Sequence, residues 1–191
     1  VLIDRTDTIF TPEDILNGCE LKSPVIIFDF DYYYMGGLLA EYIGNLDHEV
    51  TIITPFDKVS PWSFNSNEID EIQLRLIEKD IKVLSQHRIT KVEDSSVKSI
   101  HKVSHEETEI DRGSLVLVGY RKQNDSLYSD LKSREEDLKI SGIKSLQNIG
   151  DSNAPGAVVH AVYAGHLYAN SVDEEGSDSN GNFKLEYTVI Q

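Results

Sequence analysis

The chain has 191 residues, enough for one domain or one and a half and enough to bury a core without disulfide staples. Its 33 Asp and Glu against 18 Lys and Arg leave a formal charge of -15, which repels a phosphate backbone or an anionic bilayer and argues against nucleic-acid and membrane partners. No apolar run approaches the roughly 18 residues of a membrane span, and the single cysteine, Cys19, permits neither an intramolecular disulfide nor an all-cysteine zinc or iron–sulfur site, so the expected setting is cytoplasmic.

The first residue is Val1, and no signal-type n-region or h-region follows it, which suggests a piece of a longer polypeptide. Thr11-Pro12-Glu13-Asp14 reads as a helix start with a Thr cap, Pro at the first helical position and an acid at the third, and Gly18 ends that short helix. Val25-Ile26-Ile27-Phe28 is a continuous apolar run of strand length, as in a parallel strand covered on both faces. Leu38, Leu39, Tyr42, Ile43 and Leu46 then recur at helical spacing, and Val50 to Thr54 resumes strand character. Strand, helix and strand make a βαβ unit with a right-handed crossover.

Pro55 and Pro61 bracket a loop carrying Trp62 and Phe64. The apolar positions Ile69, Ile72, Leu76, Ile77 and Leu84 predict one long amphipathic helix capped by Asn65 or Asn67. From His87 to Val118 the period changes to that of strands: Arg88-Ile89-Thr90, a hairpin of 97–103 with 108–110, and a buried strand over 114–118. A polar helix is expected over 126–138, a last strand over 145–149, and a final helix from about Pro155 to Asn170. The stretch from Asp173 to Asn182 is acidic and Gly/Ser-rich, and Phe183 to Gln191 could add a terminal strand. Asn124-Asp125-Ser126 fits a glycosylation triplet by chance.

The expected fold class is therefore α/β, a Rossmann-like three-layer parallel sheet with a β-hairpin or meander insertion. Residues 1–23 read as a linker with a short helix, 24–143 as a degenerate dinucleotide-type domain, 144–170 as a return segment of a second such domain, and 171–191 as an acidic loop and terminal strand.

In a βαβ unit of this kind the first loop normally carries G-x-G-x-x-G, whose glycines let the backbone approach a pyrophosphate at the helix N-terminus. Here Asp29, Asp31, three tyrosines (Tyr32, Tyr33, Tyr34) and then Gly36-Gly37 occupy it. Two carboxylates oppose a pyrophosphate by Coulomb repulsion, and Gly36-Gly37 is expected to serve close packing of the helix start. After the second strand stand Thr54, Pro55 and Phe56 in place of the acid that holds NAD ribose hydroxyls, with Asp57 beyond the proline. A D-x-D after a strand could be a metal or acid–base pair. The alternative is that both acids cap the helix and bond loop amides, favoured because no Lys or Arg lies near to hold a phosphate. His160 and His166 fall on different helix faces, and His101 and His105 lack a matching ligand pattern, so no metal site is expected.

Several of these segments, in register, match one family: Thr11 to Leu16, Val25 to Gly37, His48 to Pro55, Ser114 to Val118, Asp130 to Glu135, Ile149 to Gly156 and Phe183 to Tyr187. Together they resemble the C-terminal dinucleotide-type region of the trimethylamine, dimethylamine and histamine dehydrogenases, relatives of the NADH:flavin oxidoreductases and of old yellow enzyme. The resemblance implies a domain like the NAD-domain of glutathione reductase, attached to an N-terminal barrel with FMN and a 4Fe-4S cluster and to a first dinucleotide-type domain that binds ADP. It also implies a homo-oligomeric parent that passes electrons to an electron-transfer flavoprotein. Gly150 and Asp151 match the Gly-Asp that points at the flavin dinucleotide in flavoprotein reductases, here a vestige without its partner half. On this basis the chain has no catalytic residue and binds no cofactor itself. The alternatives are a working NAD(P)H-binding domain of a dienoyl-CoA reductase-like flavin oxidoreductase, or a free-standing acidic interaction module.

Overall fold

A computed structural model describes residues 7–143 and 145–171. Contacts divide the chain into two units at Tyr120 and Arg121, earlier than the expected boundary near 143.

The first unit opens on a two-residue strand, β1 (Ile9–Phe10), followed by helix α1 (Pro12–Leu16). Its Thr11 cap forms the reciprocal box with Asp14, and Gly18, at φ +79°, closes the turn after it. The expected βαβ unit follows as β2 (Val25–Asp29), α2 (Met35–Gly44) and β3 (Val50–Ile53). Residues 61–66 form a single 3-10 stretch.

The long helix expected from Ile69 is shorter. Helix α3 (Ile69–Glu78) stops because Asp80 takes the left-handed conformation at φ +54°. The amides of Asp80 and Ile81 then bond the carbonyls of Ile77 and Leu76, a Schellman-type ending. Val83 and Leu84, which fit the helical period, instead lie in a new edge strand, β4 (Lys82–Leu84). Neither Asn65 nor Asn67 caps α3. Glu68 holds the cap position without a side-chain bond, and Asn65 Nδ2 donates to the Trp62 carbonyl.

Strands β5 (His87–Val92), β6 (Ser96–His101) and β7 (Glu107–Asp111) make an antiparallel meander, one strand more than the hairpin itself, and β8 (Ser114–Val118) returns to the parallel sheet. The parallel order is β1-β8-β2-β3-β4, with β2 central and Val25 to Asp29 registered against Ser114 to Val118.

Alternation along β2 decides the layering. Val25 and Ile27 join Leu39, Ala40, Ile43, Ile72 and Leu76 of the helices in one core. Ile26 and Phe28 join Ile89, Val97 and Ile110 of the meander in a second. The result is three layers, helices over a parallel sheet over an antiparallel sheet, with Asp29 at the end of the strand on the helix side. The order matches the expected Rossmann-like class with a meander insertion.

In the second unit the expected polar helix is broken at Arg134 into α4 (Ser126–Ser133) and α5 (Glu135–Ile140). Residues 145–149 form no strand, because no edge among the described residues pairs with them. The last helix, α6 (Val158–Ser171), starts three residues later than expected. The readings for 171–191 fall outside the described residues beyond Ser171.

Arg112, only 6% exposed, ties the meander to the sheet edge. Its Nε and Nη2 donate to the Glu93 carbonyl at 2.9 and 2.7 Å, and Nη1 donates to Thr8 Oγ1 at 3.0 Å. Arg112→Met keeps the bulk and removes these charge-assisted bonds, so the unfolding free energy should drop by about 2–3 kcal/mol in urea denaturation.

Candidate functional site

The loop from β2 to α2 is where a dinucleotide would bind in this topology, outside the carboxyl ends of the strands. Asp29 is its first member and is 0% exposed. Its Oδ1 accepts the Asp31 amide at 3.1 Å, and its Oδ2 has no hydrogen-bond partner. The start of α2 lies directly on this carboxyl. A Cβ added at Gly36 would come within 2.1–2.6 Å of the Asp29 carboxyl atoms, and one at Gly37 would meet Ser60 Oγ at 3.0 Å. Glycines at these two positions let the helix approach a carboxyl and a serine hydroxyl, the close packing the sequence suggests.

Burial pushes Asp29 up to about 7, the Asp31 amide opposes that, and the Asp31 carboxylate adds to it. The repulsion expected of two charged carboxylates is therefore only part of the obstacle. Near neutral pH, much of the Asp29 population is a neutral acid filling the space itself. Asp29 does not cap α2 as the sequence suggests, since Tyr34 holds the cap position with no side-chain bond, but the loop-amide bond is present.

The loop and its neighbours also carry a chain of aromatic rings. Phe30 contacts Phe28, Phe56 and Tyr120 at centroid distances of 6.0, 6.1 and 4.9 Å. Tyr32 meets Phe56 at 5.2 Å and Tyr33 at 6.1 Å, and Trp62 meets Tyr33 and Tyr34 at 5.6 and 5.9 Å. Phe56 thus puts a ring where an acid would receive ribose hydroxyls, while Asp57 is exposed and Thr54 is fully buried with its Oγ1 accepting the Phe56 amide. The composition of the β2–α2 loop foretold bulk. Phe56 and Trp62 were not foretold as its partners, and the clue was only that two further loops at the same sheet end also carry aromatic residues.

At this end of the sheet the Asp29 carboxyl lies against the first turn of α2, and the Phe56 ring, following β3, packs on Phe30. Gly150 and Asp151 lie in the second unit, in a 3-10 turn ahead of α6, with Gly150 at φ +63° and Asp151 exposed. Among the described residues no group of three or more His, Cys, Asp or Glu is arranged to hold a metal ion. His87 and His101 do meet, rings 5.0 Å apart, a pairing invisible in the sequence because adjacent strands bring it about.

Residues 10–123 match the family described as OYE-like second alpha/beta domain. The chain belongs to that family. It is 26% identical over 199 residues to a dimethylamine dehydrogenase from Hyphomicrobium sp. (strain x), covering 93% of this chain and 27% of that protein. The histamine dehydrogenase from Rhizobium sp. 4-9 superposes with a TM-score of 0.82 at 31% identity, over 90% of this chain and 27% of that one. The 6-hydroxypseudooxynicotine amine oxidase from Pseudomonas geniculata N1 gives 0.73 at 31% identity, over 83% of this chain and 23% of that one. The chain therefore spans about a quarter of the length of these relatives, and in them the same region is one part of a larger protein.

The buried acid has a consequence for stability. The unfolded chain ionises Asp29 near pH 4 and the folded chain near 7, so the folded state holds the extra proton between them. Stability is fully present below about pH 4 and is lost as the pH rises towards 7, by a total on the order of 4 kcal/mol. Asp29→Asn keeps the shape and removes the titration. Between pH 5 and 8 the variant should gain about 2–3 kcal/mol on the unsubstituted chain in urea unfolding.

Proposed function

We propose that the chain is the second α/β domain of an amine-oxidising flavoprotein of the trimethylamine dehydrogenase type, and that it contributes structure and assembly rather than chemistry. The observation that carries this reading is the β2–α2 loop, in which Asp29 sits under Gly36 and a continuous run of rings covers the crevice. A domain that bound NAD(P)H would leave that crevice open and its phosphate position lined by amides.

The FMN and the 4Fe-4S cluster of such a parent would belong to the barrel, outside this chain. The one cysteine here, half-buried Cys19, could supply a single thiolate of a four-cysteine set. ADP would belong to the first dinucleotide-type domain, and Gly150-Asp151 would be the trace of that domain carried by this chain. Helix α6 supports a contact with further protein. None of its residues is buried, and Val158, Val159 and Val162 are 79%, 62% and 53% exposed, whereas a helix with this much apolar surface normally lies within a core. The partners would be the barrel and first dinucleotide-type domain, a second copy of the parent, and an electron-transfer flavoprotein as acceptor. Among the described residues no helix is long and apolar enough to cross a membrane, and the setting we propose is the cytoplasm.

Calorimetric titration of the 191-residue chain with NADH and NADPH tests the reading. No saturable heat is expected up to about 1 mM nucleotide. A dissociation constant in the micromolar range, about -8 kcal/mol of binding free energy, would overturn it in favour of a working nicotinamide-nucleotide domain.

A further inference from the structure

The β2–α2 loop has the parts of a two-state device. Asp29 is buried at the end of the central strand with one carboxyl oxygen unpartnered, and Asp31, two residues on, is the charged group that acts on it. Val118 is its register partner on β8, and Gly36 of α2 lies against the carboxyl. The loop over it is strained, because Tyr32 adopts φ +67°, a left-handed conformation that a bulky aromatic residue rarely takes. Ties on this loop include the ring chain and two backbone bonds, the Trp62 amide to the Tyr32 carbonyl at 3.1 Å and the Phe30 amide to the Val118 carbonyl at 2.7 Å.

We propose that residues 30–34 are a proton-operated latch: with the Asp29 carboxyl protonated the loop lies closed over it, and with the carboxyl ionised the loop opens and uncovers the aromatic crevice. A neutral acid tolerates a dry site with one oxygen unpartnered. An anion there needs water or a counter-charge at the unpartnered oxygen, and the Asp31 carboxylate opposes its ionisation. The cheapest route to water is outward through the loop, whose Tyr32 strain is released by the same movement. The poise of Asp29 near neutrality puts the change within a physiological range. The latch would open the crevice as a surface without requiring any nucleotide, so it stands or falls separately from the binding reading above.

Trp62 is the only tryptophan and packs on this loop, so its emission reports the loop alone. In the 191-residue chain, Trp62 emission should shift to longer wavelength and become more open to acrylamide quenching as the pH rises, with a midpoint near 7. Asp29→Asn should hold the low-pH signal across the whole range. Asp31→Asn, which leaves the buried acid in place and removes the repelling charge, should lower the midpoint by roughly half a unit. A flat Trp62 signal in the unsubstituted chain, or a midpoint unchanged in either variant while far-ultraviolet circular dichroism stays native, overturns the latch.

Discussion

A carboxyl buried with one oxygen unpartnered is the constraint on which the rest of this domain turns. Asp29 ends the central strand on the helix side of the sheet, so the strand's own alternation drives it inward rather than towards water. Everything near it adjusts to that fact. Two glycines begin α2 because a side chain at Gly36 would collide with the carboxyl. The Asp31 amide turns back to bond Oδ1, and burial pushes the carboxyl up to about 7, so part of its charge is given up near neutral pH. A phosphate-binding loop inverts each of these features: it leaves the first turn of the helix open and presents amides to an anion. Here the helix start lies against a carboxyl instead.

The layered architecture explains why closing that loop closes the whole crevice. The helices cover one face of the parallel sheet and the meander covers the other, leaving the carboxyl ends of the strands as the usual place for a ligand. From those ends come Phe30 after β2, Phe56 after β3 and Tyr120 after β8, and the Phe30 ring meets the other two. Dispersion and edge-to-face contacts among rings at 4.9–6.1 Å make this a packed cap. The chain belongs to the family of OYE-like second alpha/beta domains and is similar to amine dehydrogenases about four times its length, in which the same region is one part of a larger protein.

Much of this was legible in the residues. The unbroken apolar run of Val25 to Phe28 read as a strand covered on both faces, and it proved central. The Thr11 box obeyed local rules and appeared where those rules put it, while the helix read from the spacing of Leu38 to Leu46 runs over Met35–Gly44 and leaves Leu46 outside. The errors share a cause, which is that a period says nothing about a single backbone angle. Val83 and Leu84 fit the helical repeat, yet one left-handed residue, Asp80, sends them into an edge strand. Residues 145–149 have strand composition, but a strand exists only with a partner edge. At the site, the acidic and aromatic character of the loop was plain. The burial of Asp29 was not, because it depends on which face of β2 the helices cover, and neither was the arrival of Phe56 and Trp62 from loops further along the chain.

The protonation of Asp29 is the quantity closest to the centre of this account. Labelling the aspartate carboxyl carbons with carbon-13 and following the Asp29 resonance by NMR from pH 4 to 9 measures it directly. The account predicts a midpoint of about 7 in the folded chain. A midpoint near 4, the value of a solvated aspartate, would mean that the carboxyl is charged and reached by water at neutral pH, and would contradict it.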